Sequence, residues 1–127
     1  MIFNSGYCLG SCPVMKIDID STGKYYKEGI RYSEPFIGSF KGQLSKGMLD
    51  ILNYILQHSE LKKMHFWKQS SVVFDASNYN LNISYNDHKL LINTNEPPLN
   101  ISDLVSFLLG SYKNVALAHD DNKHSFE

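Results

Sequence analysis

The chain has 127 residues, 43% hydrophobic and 20% charged, a size and make-up that suit one domain able to bury a core without metals or disulfides. Its 12 basic and 13 acidic residues leave a net charge of −1, and neither the basic excess nor the basic stripe of a nucleic-acid binder is visible. No apolar run approaches the roughly 20 residues that cross a bilayer, and Met1-Ile2-Phe3-Asn4-Ser5-Gly6 lacks the basic and apolar regions of a signal peptide. The expectation is therefore a cytoplasmic protein, the alternative being an exported or lipid-anchored one whose leader is absent from this chain.

In chain order, Gly6-Tyr7-Cys8-Leu9-Gly10-Ser11-Cys12-Pro13 reads as a loop from its Gly, Ser and Pro. Strict alternation follows. Met15, Ile17 and Ile19 share one side and Lys16, Asp18 and Asp20 the other, the pattern of a strand with one wet face. Asp20-Ser21-Thr22-Gly23 makes a turn. Lys24 to Tyr32 returns as a second strand carrying Tyr26, Ile30 and Tyr32. Glu34-Pro35 breaks it, and Phe36 to Gly42 reads as a third. Ser45 then stands as an N-cap ahead of Met48, Leu49, Ile51, Leu52, Ile55 and Leu56, which recur at helical spacing. So broad an apolar face lies flat on a sheet, with Met48, Leu52 and Ile55 expected against Ile17 and Ile19.

Leu61 to Trp67 is either a short helical turn or a tucked loop, with Phe66 and Trp67 plugging a core edge. Lys62, Lys63 and Lys68 form the only local basic cluster, read as a solvated face. Val72-Val73-Phe74 makes a short strand. Leu81, Ile83 and Tyr85 alternate with Asn80, Asn82 and Ser84, Asn86-Asp87 supplies a hairpin turn, and Lys89 to Thr94 pairs back. Glu96-Pro97-Pro98 ends the sheet. Asn100 or Ser102 caps a second helix through Ile101, Leu104, Val105, Leu108 and Leu109. Val115 to Ala118 adds an edge segment, and 119–127 is expected to fray. The order strands, helix, strands, helix predicts an α+β domain: a mainly antiparallel sheet with helices near 45–58 and 101–112 packed on one face. One domain covers 1–127, its ordered core about 6–118.

The chemistry-bearing residues are few. Cys8 and Cys12 are three residues apart, neither the two-residue redox spacing nor a zinc ribbon. They are a candidate disulfide if the Gly10 loop turns back on itself, a pair of free thiols packed as small hydrophobes, or a redox dithiol. A metal site would need two further ligands, and His58, His65, His88, His119 and His124 offer no spaced pair except at the tail. Asp18-Ile19-Asp20-Ser21-Thr22-Gly23 starts like a calcium loop. Position twelve falls on Gly29 rather than on the required Glu, so a plain hairpin turn is the better reading. No nucleophile elbow or phosphate-binding glycine loop is present. Glu28, Glu34, Asp75 and His88 could only converge in three dimensions. No cofactor is expected, and no catalytic or metal-binding residue is assigned.

The run Cys8-Leu9-Gly10-Ser11-Cys12-Pro13-Val14, the alternation to Ile19, then Thr22-Gly23 and Tyr26-Lys27-Glu28-Gly29 resemble a bacterial domain family of unknown function. That family opens C-x-G-x-C-P-x-Y-x-(V/I)-x-(I/V), then has a D-G hairpin and Y-x-G. Ser39 to Ser45, the 48–56 helix, Phe66-Trp67, and Asp75 before the 80–94 hairpin follow its order. Met15 stands where the family has Tyr, and Thr22 where it has Asp. The resemblance spans about 6–112. It implies the fold and extent of the domain, and an exported or lipid-anchored setting for many members, but no reaction. The functional expectation is a small non-enzymatic binding or accessory domain with an unknown protein or small ligand as partner. The alternative is a thiol/disulfide redox-responsive module using Cys8 and Cys12.

Overall fold

The alternation that begins at Val14 becomes the middle of a single sheet. The computed structural model describes residues 1–8, 10–61, 66–68, 78–85, 88–95, 97–122 and 124–126. In chain order the elements are β1 (Ile2–Ser5), β2 (Val14–Ile19), β3 (Lys24–Arg31), β4 (Gly38–Gln43), α1 (Lys46–His58), β5 (Phe66–Lys68), β6 (Tyr79–Tyr85), β7 (His88–Thr94), α2 (Leu99–Ser111), a 3-10 turn over Tyr112–Asn114, and β8 (Ala118–His119). The strands lie in the order β5-β7-β6-β1-β2-β3-β4-β8. Every pairing is antiparallel except β5 with β7. The fold is α+β, with a mainly antiparallel sheet as expected.

Register sorts the side chains into two faces, because successive residues of a strand point opposite ways. One cross-strand row runs Ile92, Leu81, Phe3, Ile17, Lys27, Phe40, and all six are buried. Ile92, Leu81, Phe3 and Ile17 share a core with Leu52 and Leu56 of α1 and with Ile101, Leu104, Val105 and Leu108 of α2. Both helices therefore cover this face. Met48 and Ile55 pack partly buried against the core that holds Leu52, Ile17 and Ile19. Ile51 does not join them and stays 53% exposed, because it sits a quarter-turn from Leu52 on the outer side of the helix.

Several expectations are corrected. Ahead of the cysteine loop, Ile2–Ser5, to which the sequence reading assigns no element, forms β1, a central strand between β2 and β6. β3 carries Tyr26, Ile30 and Tyr32 as read from the sequence, which assigns the strand no inner face. Its buried residues are Tyr25, Lys27 and Gly29, while Ile30 and Tyr32 are exposed. A strand with bulky residues on both sides leaves its register open, and a shift of one residue exchanges the faces. Packing decides it: the Tyr25 hydroxyl meets Ser111 Oγ of α2 at 2.7 Å. Ser45 caps α1, its side chain accepting from the Met48 N–H at 3.2 Å. For α2, however, the N-cap is Pro98, with no side-chain cap. Asn100 donates instead to the Ser59 carbonyl, and Ser102 Oγ to the Leu99 carbonyl. Leu61 to Trp67 contains the start of β5 rather than only a turn or loop. Val72-Val73-Phe74 and Asn86-Asp87 lie outside the described residues.

Lys27 occupies an apolar row, 1% exposed. Its Nζ donates to Ser33 Oγ at 3.0 Å and to the Phe36 carbonyl at 2.7 Å, and lies 4.7 Å from the centre of the Tyr112 ring. The ammonium thus ties the 33–36 connection across the core side of β3. Gly29 makes that crossing possible: a Cβ there would fall on the Phe36 carbonyl oxygen and within 2.6 Å of Ser33 Oγ. Burial lowers the Lys27 pKa from 10.5 to about 8, with Glu34 opposing the change.

Candidate functional site

The cysteine pair is closed into a disulfide, with Cα atoms 5.8 Å apart. Its place in the fold follows from β1. Residues 6–13 connect β1 to β2, so the bond staples the loop of a hairpin. Ser5 closes the base of the same loop, its Oγ donating to the Pro13 carbonyl at 2.8 Å and accepting from the Met15 N–H at 3.3 Å. Exposed Tyr7 and Tyr32 flank Arg31, which lies 5.9 and 4.8 Å from their ring centres.

The other sequence candidates do not assemble. Asp20 Oδ1 accepts from the Thr22 N–H, the Thr22 hydroxyl and the Lys24 N–H, an Asx-type turn that spends the oxygen a calcium ion would need. The Thr22 hydroxyl leads in holding that carboxyl below its ordinary pKa. Glu28 lies on β3 and His88 on β7, four strand positions apart, which is about 19 Å at the usual spacing. Asp75 lies outside the described residues. Among those residues no group of three His, Cys, Asp or Glu could hold a metal ion.

What the fold does assemble is the sheet face turned away from the helices. One row there runs Asn93, Asn80, Asn4, Lys16, Glu28, Ser39. The next runs Leu91, Asn82, Ile2, Asp18, Tyr26, Lys41. Four asparagines thereby gather on three adjacent strands. Asn4, Asn80, Asn82, Asn93 and the 50%-exposed Leu91 line a groove of about 240 Å³. The Oδ1 of Asn4 is buried without a hydrogen-bond partner among the described residues. At the other end of the face, the segment after β8 folds back. His124 Nε2 donates to Asp18 Oδ2 at 2.7 Å. Its ring lies flat on Tyr26, with centroids 3.8 Å apart and planes 2° from parallel. Phe126 meets the imidazole edge-on at 4.9 Å. The segment expected to fray is thus held at this point and at the Asp120 N–H, which donates to the Ser39 carbonyl.

Sequence reasoning puts Asn80, Asn82 and Asp18 on wet faces but does not join them. It misses Asn4 together with β1, and it assigns Tyr26 to no face. The one sequence signal is the repeated Asn at alternate positions of β6, where solvated strands more often carry charged or Thr residues.

The chain is thus a small α+β domain with its helices on one side of the sheet and an amide-rich surface on the other. Residues 1–109 match the family model described as Domain of unknown function (DUF6438), and the chain belongs to that family. No curated protein and no solved structure matches it. The match ends within α2, so the segment carrying His124 lies beyond it. No described helix is long and apolar enough to cross a membrane.

Proposed function

We propose that this domain is a non-enzymatic binding module and that it binds through the open face of its sheet. The observation that carries the reading is the groove of Asn4, Asn80, Asn82 and Asn93 around Leu91. Each amide offers two donors and an acceptor, and these four make no side-chain hydrogen bond among the described residues. They stand on paired strands, so the backbone that carries them is fixed before a ligand arrives, which limits the entropy lost on binding. An apolar floor with a few convergent polar groups is the usual make-up of a ligand site. The test is an amide-resolved NMR screen of sugars, peptides and small metabolites. Shifts confined to β7, β6 and β1 support the reading. Shifts confined to the helices, or turnover of any compound abolished by one side-chain change, overturn it.

A redox-responsive module using Cys8 and Cys12 is the second reading, favoured by the paired sulfurs in a half-buried loop. The position of the bond across the β1–β2 connection supports a clasp instead. Alkylation of the reduced protein across pH separates the two. An apparent thiol pKa well below the ordinary value of about 8.5 promotes the redox reading, and an ordinary value supports the clasp.

A further inference from the structure

We propose that the open face takes a neutral oligosaccharide, and that the chain's own His124 occupies the ring-stacking end of that site until the sugar displaces it. The inference rests on the binding-module reading and names its ligand.

Three features select the chemistry. Among the described residues no charged side chain lines the amide groove, so it gives an ionic ligand no opposite charge to offset its lost hydration. Lys16 and Glu28, which border it, face one another by register and offset each other's charge. The amides present donors and acceptors side by side, and a hydroxyl is the ligand group that is both at one atom. Finally, the Tyr26–Asp18 end is built for a ring. Tyr26 offers a flat apolar surface and Asp18 an acceptor at its rim, and the imidazole of His124 uses both. A pyranose can do the same, setting its C–H face on the tyrosine while a hydroxyl donates to the carboxylate.

Asn82 and Tyr26 lie in one row, on β6 and β3, three strand spacings apart, or about 14 Å. A single ring cannot span that distance, so the ligand is a chain of rings. An extended peptide fits less well. Peptides add to sheets through unpaired edge backbone, whereas β6, β1, β2 and β3 are all paired on both sides. A nucleic acid would bring a run of phosphates to a face without basic excess.

The test is calorimetric titration of the full chain with short neutral hexose and N-acetylhexosamine oligomers, beside a polyanionic glycan and an extended peptide. A neutral oligomer is expected to bind. His124→Ala should tighten binding several-fold, since it removes the competing ring and leaves Tyr26 and Asp18 in place. Asn80→Ala with Asn82→Ala should weaken it about tenfold, the scale of two lost neutral hydrogen bonds. Both asparagines are exposed, so these variants keep the fold. Tyr26→Leu, which preserves packing but removes the aromatic face, should also weaken binding. Failure of every neutral oligomer to bind the His124→Ala protein overturns the proposal, as does weaker binding by that variant. Peptide or polyanion binding that shifts β7, β6 and β1 would leave the open-face reading standing and overturn only the sugar. Binding mapped to the helices would overturn both.

Discussion

Replacing Lys27 with Met tests whether a cation truly sits in the core. Desolvation dominates the lowering of its pKa from 10.5 to about 8, because Nζ has only two neutral acceptors among the described residues, Ser33 Oγ and the Phe36 carbonyl. Below about pH 8 the folded and unfolded chains both hold the proton, and Lys27 adds no pH dependence. Between about 8 and 10.5 the unfolded chain holds it and the folded chain releases it. Stability therefore rises with pH across that window. Each pH unit of the window is worth about 1.4 kcal/mol, so the rise amounts to about 3 kcal/mol. Tyr25 works in the other direction. Burial holds its hydroxyl protonated well above the ordinary range, so the unfolded chain ionises first and stability falls above about pH 10. Tyr25 is common to both proteins, so subtracting the Lys27→Met profile from that of the parent removes it. The assay is denaturant unfolding at a series of pH values from about 7 to about 10.5, read by circular dichroism. The difference should be flat below about pH 8 and then move in favour of the parent. A difference flat throughout refutes the buried ammonium.

Leu52→Ala should cost about 2–5 kcal/mol by the same assay, the range for a leucine removed from a core, whereas Ile51→Ala, one residue away but outside, should stay within about 0.5 kcal/mol. Equal losses would mean that the wrong face of α1 is buried. Gly29→Ala should be among the most damaging small substitutions in the chain, because the 33–36 connection must lift off β3 to admit the methyl group; a thermal midpoint unchanged from the parent would show that this connection does not lie there. Cys8→Ser with Cys12→Ser should lower stability by about 2 kcal/mol, the chain-entropy value for so short a loop, and leave open-face binding intact. Loss of binding at unchanged stability would contradict the clasp.

Local sequence suffices for α1, the β2–β3–β4 meander and the β6–β7 hairpin. In these elements neighbours along the chain are neighbours in space, and in α1, β2 and β6 the periodicity of apolar residues reports which way each side chain turns. Ser45 is legible as a cap because capping needs only the residues that follow it. The cysteine loop is legible as a loop from its Gly, Ser and Pro. Long-range packing alone puts Ile2–Ser5 in the middle of the sheet and runs β5 parallel to β7, since these pairings join distant parts of the chain. It also sets the faces of β3. Local pattern does not choose between the two sides of β3; a connection crossing over Gly29, an ammonium with two acceptors and a hydroxyl meeting Ser111 turn Tyr25 and Lys27 inward. The open face follows from those placements. Asn4, Asn80, Asn82 and Asn93 become one surface because β1 lies beside β6, and Tyr26 becomes a platform because β3 is turned as it is. A face built from several strands is a product of register, and register between distant strands is set by the packing of the whole core rather than by any local run of residues.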